Sequence, residues 1–326
     1  MDNVCAMVLR AFDLKGRSVA RDKAGFVCVT DRGVVDVQRT SRTAERIWFR
    51  HHVQEHLHAC GFAGAGRLWL SAAGEPFATA DRELYIVQTH MQQREVCFAN
   101  EVEWRRTLRA VGTMHALLRD ADFPCAPALA LPDADAQYTK YTDALNGMKR
   151  RILKKGKYSE FDVLFLKMAA EQLRALAEWR DAACSPPYEA QWEEAKTRRF
   201  VCHNLLKEEN LLAGAEAVCV RNFAECAPGH CMEDLAALLK RYVKAVPDPP
   251  VSLADGLAEY DAVNPIAPEA LVVLRAALVF PDKFLKLCTK YYDRNRTWTP
   301  GAFTARMEEV ARGQKDLQGY LAAGWK

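Results

Sequence analysis

The chain has 326 residues, half of them hydrophobic and 27% charged, with a formal net charge of +3. That length supports one large or two smaller domains with a sizeable core, and that balance excludes an intrinsically disordered chain. The charge is too small to argue for a nucleic-acid partner, and no apolar run approaches the ~20 residues that a bilayer-spanning helix needs.

The first stretch, MDNVCAMVLRAFDLKGR, has an early acid and no long apolar run, so no export signal is expected. Eleven scattered cysteines then predict mostly reduced thiols in a cytoplasmic chain. KGRSVARDKAG lacks the G-x-G-x-x-G spacing of a phosphate-binding loop. GFVCVT (25–30) and VVDV (34–37) are β-rich runs around DRG, a hairpin signal. TAERIWFRHHVQEHLHACGF (43–62) predicts a helix, with Ile47, Val53 and Leu57 on one side and Gly61 as its stop. RLWLSAAGEPFAT and ELYIVQTH predict two further strands, and the region as a whole predicts a five-stranded sheet with one helix. A connector is expected near Gln88–Gln92.

From about residue 100 the period becomes helical. Leu108, Val111, His115 and Leu118 recur every three or four positions. CAPALALPDAD is a proline-punctuated linker. Phe161, Leu164, Phe165, Met168, Leu176 and Trp179 keep helical spacing, a stripe that reads as core packing rather than a cofactor box. LLAGAEAVCV (211–220) predicts a small hairpin, and 232–246 and 268–280 are amphipathic. Strands followed by helices predict an α+β architecture, with a small antiparallel-sheet lobe over 1–90 and a large helical lobe over 91–326. A cleft between two such lobes is a natural ligand site.

Within FVCHNLLKEENLL (200–212), His203 precedes Asn210 by seven positions. Some phosphotransferases add an Asp two positions after the His, where this chain has Leu205. Cys226, His230 and Cys231, with Cys202 and His203 upstream, are soft-ligand types, but only C-x₃-H-C appears rather than the paired C-x₂-C of zinc sites, so no metal is expected. A cysteine nucleophile beside His203 or His230 has no better support. Lys149, Arg150, Arg151, Lys154, Lys155 and Lys157 form a basic run, read as a solvated helix face that charge reversal at Lys154, Lys155 and Lys157 should leave folded. Its alternative is a docking surface for an acidic partner. Nucleic acid is not expected there, because no aromatics interleave with the charges.

Three stretches carry a family resemblance. YDAVNPIAPEALVVLRAALVFPDKFLKLCTKYYDRNRTW (260–298) resembles the closing segment of the CotS family of spore-coat proteins. KRRILKKGKYSEFDVLFLK (149–167) resembles that family's charged helix and its EFD-LFL stretch. VCHNLLKEENLL lies where the family has a degenerate His-x-Asp-x-x-x-x-Asn loop. The family is part of the larger group that includes aminoglycoside and choline kinases. The resemblance implies a bilobal protein-kinase-like fold with a degenerate catalytic loop over 201–223.

Phosphoryl transfer is mostly positioning and charge stabilisation. A kinase of this group uses a Lys on its third strand, an Asp in the catalytic loop and a second Asp after the next hairpin to hold Mg²⁺. By resemblance those positions fall on Gln38 in VVDVQRT, on Leu205, and on Asn222 in VCVRNFAEC. Arg39 beside Gln38 points to the other face of the strand. Glu55 sits where the next helix could offer the missing Lys a partner, and with Gln38 opposite it reads as a solvated carboxylate. Asn210 and His203 are retained, and Asp234 in MEDLA matches an Asp that ties down the catalytic-loop backbone, the alternative being a plain helix-start acid. Apolar Leu205 suggests a cleft floor that is packed rather than wet.

Loss of phosphate cation, base and metal carboxylate together implies a pseudoenzyme, with neither ATP nor Mg²⁺ as cofactor. The resemblance implies synthesis in the mother-cell cytoplasm, then a role in spore-coat assembly through coat-protein partners. An active small-molecule phosphotransferase and a nucleotide-binding module without catalysis stand as the alternatives, and the ligand of the cleft, if any, stays open.

Overall fold

A computed structural model describes residues 3–22, 25–62, 64–129, 131, 133–215, 217–292 and 298–324. Positions 130 and 132 of the proline-punctuated linker and 293–297 of the C-terminal stretch lie outside the described residues. The chain forms two compact units, each discontinuous in sequence: Met1–Leu129 with Arg198–Pro228, and Ala130–Thr197 with Gly229–Lys326.

The first unit opens with helix α1 (Asn3–Ala11), followed by β1 (Gly16–Asp22), β2 (Gly25–Thr30) and β3 (Gly33–Thr40). Helix α2 (Ala44–Ala59), β4 (Ala78–Ala80), β5 (Glu83–Thr89) and α3 (Glu101–Leu117) come next. The sheet is antiparallel in the order β1-β2-β3-β5-β4. The DRG hairpin is present, with Thr30 opposite Gly33. Thr43 caps α2, its hydroxyl accepting from the Arg46 N–H.

Two expectations are corrected here. RLWLSAAGEPFAT is largely irregular, contributing only an isolated bridge from Leu68 to Gln88 and the short β4. The fifth strand is instead β1, whose Arg17, Arg21 and Asp22 are exposed. It is an edge strand, where charge blunts unwanted pairing and hides the alternation that would reveal it. Helix α1 also joins the sheet, and Cys5, Val8 and Leu9 pack with Cys28, Val35 and Val37.

The rest of the first unit is built of short pairs: β6 (Val201–Cys202) with β9 (Ala227–Pro228), and β7 (Leu211–Ala213) with β8 (Val218–Val220). The second pair is the hairpin expected over 211–220.

The second unit is helical: α4 (Ala134–Leu153), α5 (Glu160–Ala183), α6 (Pro186–Thr197), α7 (Cys231–Ala245), α8 (Leu253–Asp261), α9 (Leu271–Val279), α10 (Asp282–Tyr292) and α11 (Pro300–Gly324). The stripe on α5 is core, as its period predicts: Phe161, Phe165, Met168 and Leu176 pack with Leu145 and Met148 of α4, Phe284 of α10 and Phe303 of α11. Phe161 stacks on Tyr291 with ring centroids 3.8 Å apart.

All six residues of the basic run are exposed, and one of them also reaches a buried partner. Asp162 is 0% exposed and takes Lys155 Nζ on both carboxylate oxygens, at 2.9 and 2.7 Å. Lys155 is thus a structural partner, and reversing its charge would set two carboxylates against each other. Lys149, Arg150, Arg151, Lys154 and Lys157 are exposed, as expected.

Candidate functional site

The degenerate loop lies in the first unit and is held by its own side chains. His203 is fully buried between two backbone groups. Its Nδ1 accepts the Leu205 N–H at 3.2 Å, which leaves Nε2–H to donate to the Arg221 carbonyl at 3.0 Å. The ring also packs edge-on against Phe223, with centroids 4.7 Å apart. With both nitrogens engaged, His203 is a brace and not a proton acceptor for an incoming hydroxyl.

Asn210 is 3% exposed, and its Nδ2 donates to the Leu205 carbonyl at 2.8 Å. Its own carbonyl accepts the Arg221 N–H at 2.9 Å, which joins the loop to the strand β8 end. Asn222 has φ 63° and ψ 63°, a left-handed conformation that Asn and Asp tolerate better than other non-glycine residues. The structure therefore brings His203, Leu205 and Asn210 into one braced turn closed by the backbone of Arg221, with Asn222 the next residue along the chain.

Leu205 departs from expectation. It is only half-buried, while its neighbour Leu206 is the buried side chain at 2% exposure. The position is not a packed floor, because the brace needs only the backbone of Leu205.

The strand β3 positions divide by face. Val35 and Val37 face α1. Gln38 is half-buried, paired with Gly25 on β2 and Ile86 on β5, and Ile86 packs with Ile47 of α2. Arg39 is exposed and lies 3.5 Å from Glu83. Glu55 is not a free carboxylate. It takes Arg67 in a two-pronged pair at 2.6 and 2.5 Å, and these bonds, outweighing burial, hold its carboxyl below the usual range. It is spoken for, and offers position 38 nothing.

The α2 groups that do meet the sheet were not anticipated. Arg50 is 6% exposed; it donates from Nη2 to Gln88 Oε1 at 2.6 Å and from Nε to Gln54 Oε1 at 3.1 Å. Gln54 Nε2 donates in turn to the Gly66 carbonyl. Burial pushes the Arg50 guanidinium down to about 10, still charged at neutral pH. The signal was available: Arg50, Gln54 and Leu57 follow Ile47 at helical spacing.

Two of the carboxylates around the loop are in ion pairs. Glu209 lies 3.4 Å from Lys207, and Glu225 pairs with Arg42. Among the described residues no group of three or more His, Cys, Asp or Glu could hold a metal ion. Asp234 belongs to the second unit, in the first turn of α7. It is 3% exposed, so it is not a solvated helix-start acid.

A small antiparallel sheet with its helix, followed by a braced His–Asn turn and a hairpin, defines the kinase-like phosphotransferase fold, and solved structures agree. An aminoglycoside phosphotransferase from Alicyclobacillus acidocaldarius matches with a TM-score of 0.82 at 18% identity, over 98% of this chain and 94% of that one. Spectinomycin phosphotransferase APH(9)-Ia, solved with ADP and spectinomycin, matches with a TM-score of 0.67 at 10% identity, over 96% and 98%. A microcompartment-associated aminopropanol kinase matches with a TM-score of 0.62 at 13% identity, over 98% of each chain. These likenesses show the fold alone. No curated protein matches the sequence. A family model described as "Spore coat putative kinase YutH" matches residues 26–323, and the chain belongs to that CotS-like family of spore-coat kinase-like proteins. Among the described residues no helix is long and apolar enough to cross a membrane.

Proposed function

We propose that the chain is a kinase-like pseudoenzyme of the spore coat, acting in coat assembly by binding coat proteins. The observation that carries this reading is the braced turn itself. It has the shape of a phosphate-transfer loop, yet Leu205 offers no proton acceptor and Asn222 no carboxylate for Mg²⁺. Gln38 adds no cation. Family membership supports the coat assignment, with synthesis in the mother-cell cytoplasm before deposition. A second reading, a small-molecule phosphotransferase with non-standard residues, is favoured by one observation: Arg50 supplies a guanidinium on the sheet side of α2.

One assay separates the two. With Mg²⁺-ATP and kanamycin, choline or a generic protein acceptor, no phosphotransfer is expected, and millimolar ATP should leave the melting temperature unchanged. A site filled at about 100 Kd would add about 2.7 kcal/mol, readily seen as a shift. Mg²⁺-dependent turnover that vanishes in Asn210→Ala would establish the enzyme instead. A clear shift without turnover would establish a nucleotide-binding module.

The coat-binding half has its own test. Lys149, Arg150, Lys154 and Lys157 form an exposed basic face once Lys155 is set aside. Reversing these four to Glu should leave the melt unchanged and reduce incorporation of a tagged copy into the coat of a sporulating host. Normal localisation of the reversed protein would remove this face as the docking surface.

A further inference from the structure

The second unit encloses a groove of about 350 Å³ between α7, α10 and α11, closed at one end by the Val279–Asp282 connection. That volume falls at the small-molecule end of ligand sites. Its floor is apolar, with Leu278, Phe284, Leu287, Val310 and Leu317, and Trp298 forms a wall.

The polar groups around this floor are strongly unbalanced. Among the described residues Lys240, Lys244, Lys283, Lys286, Lys290 and Arg306 line it, with Asp282 and Glu309 as the carboxylates. Each carboxylate is already shared. Asp282 lies 3.6 Å from Lys240 and 3.8 Å from Lys286. Glu309 lies 2.7 Å from Arg306 and 3.7 Å from Lys244. Lys290 Nζ sits 3.8 Å over the Trp298 ring. Six cations therefore meet two carboxylates, a surplus that an anion would neutralise.

Two polar side chains of the lining are largely withdrawn from solvent. The Lys240 side chain is 15% exposed and donates to the Phe280 carbonyl at 2.8 Å. Burial pushes its ammonium down to about 8, with Asp282 opposing the shift and Lys283 and Lys286 adding to it. Gln172 is fully buried and lines the groove from α5. Its Nε2 donates to Gln314 Oε1 at 2.5 Å, while its own Oε1 has no hydrogen-bond partner.

We propose that this groove is a binding site for a small amphipathic organic anion: an apolar or aromatic body with one phosphate, sulfonate or carboxylate group. The body fills the floor beside Trp298. The anionic group meets Lys240, Lys244 and Lys290. Inorganic phosphate alone would leave the floor wet, and a neutral body would leave the cations uncompensated. The site is independent of the braced turn in the first unit, so it holds whether or not the chain is a phosphotransferase.

Calorimetric titration of the full chain with octyl phosphate and 1-naphthalenesulfonate, below micellar concentrations, tests this. Both should bind with a stoichiometry near one, at least tenfold tighter than octanol, octylamine or inorganic phosphate. Gly313 lies on α11 at the groove, and a Cβ there would meet nothing within 4 Å. Gly313→Phe should therefore fold and plug the site, abolishing binding. Lys244→Glu with Lys290→Glu should weaken both anions at least tenfold while the far-UV circular dichroism stays unchanged. Unaltered binding in Gly313→Phe would overturn the proposal. So would octanol binding as tightly as octyl phosphate, inorganic phosphate binding as tightly as either, or an oligoglutamate peptide outcompeting both.

Discussion

Replacing Asp162 by alanine is expected to cost about 3 kcal/mol, because it removes a buried carboxylate and the hydrogen bonds that converge on it. The carboxylate is 0% exposed and accepts four hydrogen bonds: two from Lys155 Nζ, one from the Ser159 N–H at 2.9 Å and one from the Tyr292 hydroxyl at 2.9 Å. The Ser159 hydroxyl oxygen in turn accepts the Asp162 N–H at 3.1 Å, completing a capping box at the start of α5. Alanine would break the box and leave the Tyr292 hydroxyl with no acceptor there. The Lys155 side chain is 40% exposed and can turn to water, which keeps the loss below the upper range for buried pairs.

The effect also has a pH signature. Burial alone would raise the Asp162 pKa, but the bonds from Lys155, Ser159 and Tyr292 more than offset it, and the carboxyl sits below its usual range. An unfolded Asp titrates near 3.9, so this stabilisation is complete above about pH 4 and fades as the pH falls through the folded value. The Asp162→Ala penalty should therefore be full at pH 7 and shrink in acid, read from urea melts at pH 7 and pH 3. An equal penalty at both would show that the carboxylate charge is not what stabilises the box.

Replacing His203 by alanine should cost about 2–4 kcal/mol without any loss of chemistry. It strands the Leu205 N–H and the Arg221 carbonyl, and it opens a cavity beside Phe223. The control is Leu205→Asp, which restores a carboxylate at the base position. Because Leu205 is half-buried and lends the brace only its backbone, that change should shift stability by about 0.5 kcal/mol or less and produce no phosphotransfer. Paired thermal melts of the two variants check the contrast. A His203→Ala melt matching the parent would show that the turn holds its shape without the ring.

Local patterns in the sequence were enough for many elements. GFVCVT is β2 to the residue, and Thr43 marks the start of α2. The hairpin over 211–220 and the core stripe of α5 also follow from local period. The edge strand β1 escaped because its exposed charges erase alternation. At the site, His203 and Asn210 were legible as a pair seven positions apart, and they do meet in one turn through the backbone of residues 205 and 221.

What the sequence by itself determined is which residues turn inward and which chemistry each position can supply: Gln38, Leu205 and Asn222 carry neither cation nor carboxylate in any fold. It also determined family membership, through segments whose meeting it did not reveal. The EFD stretch and the YY pair of the C-terminal segment, 130 positions apart, touch through Asp162 and Tyr292. Only the tertiary structure decided partners. Glu55 goes to Arg67, Lys155 leaves the solvated run for Asp162, and Arg50 is buried against Gln88, 38 positions away. The physical reason is that periodicity records burial along one element. The energy of a buried charge or amide depends on which distant group arrives to satisfy it, and that is settled when helices and strands pack.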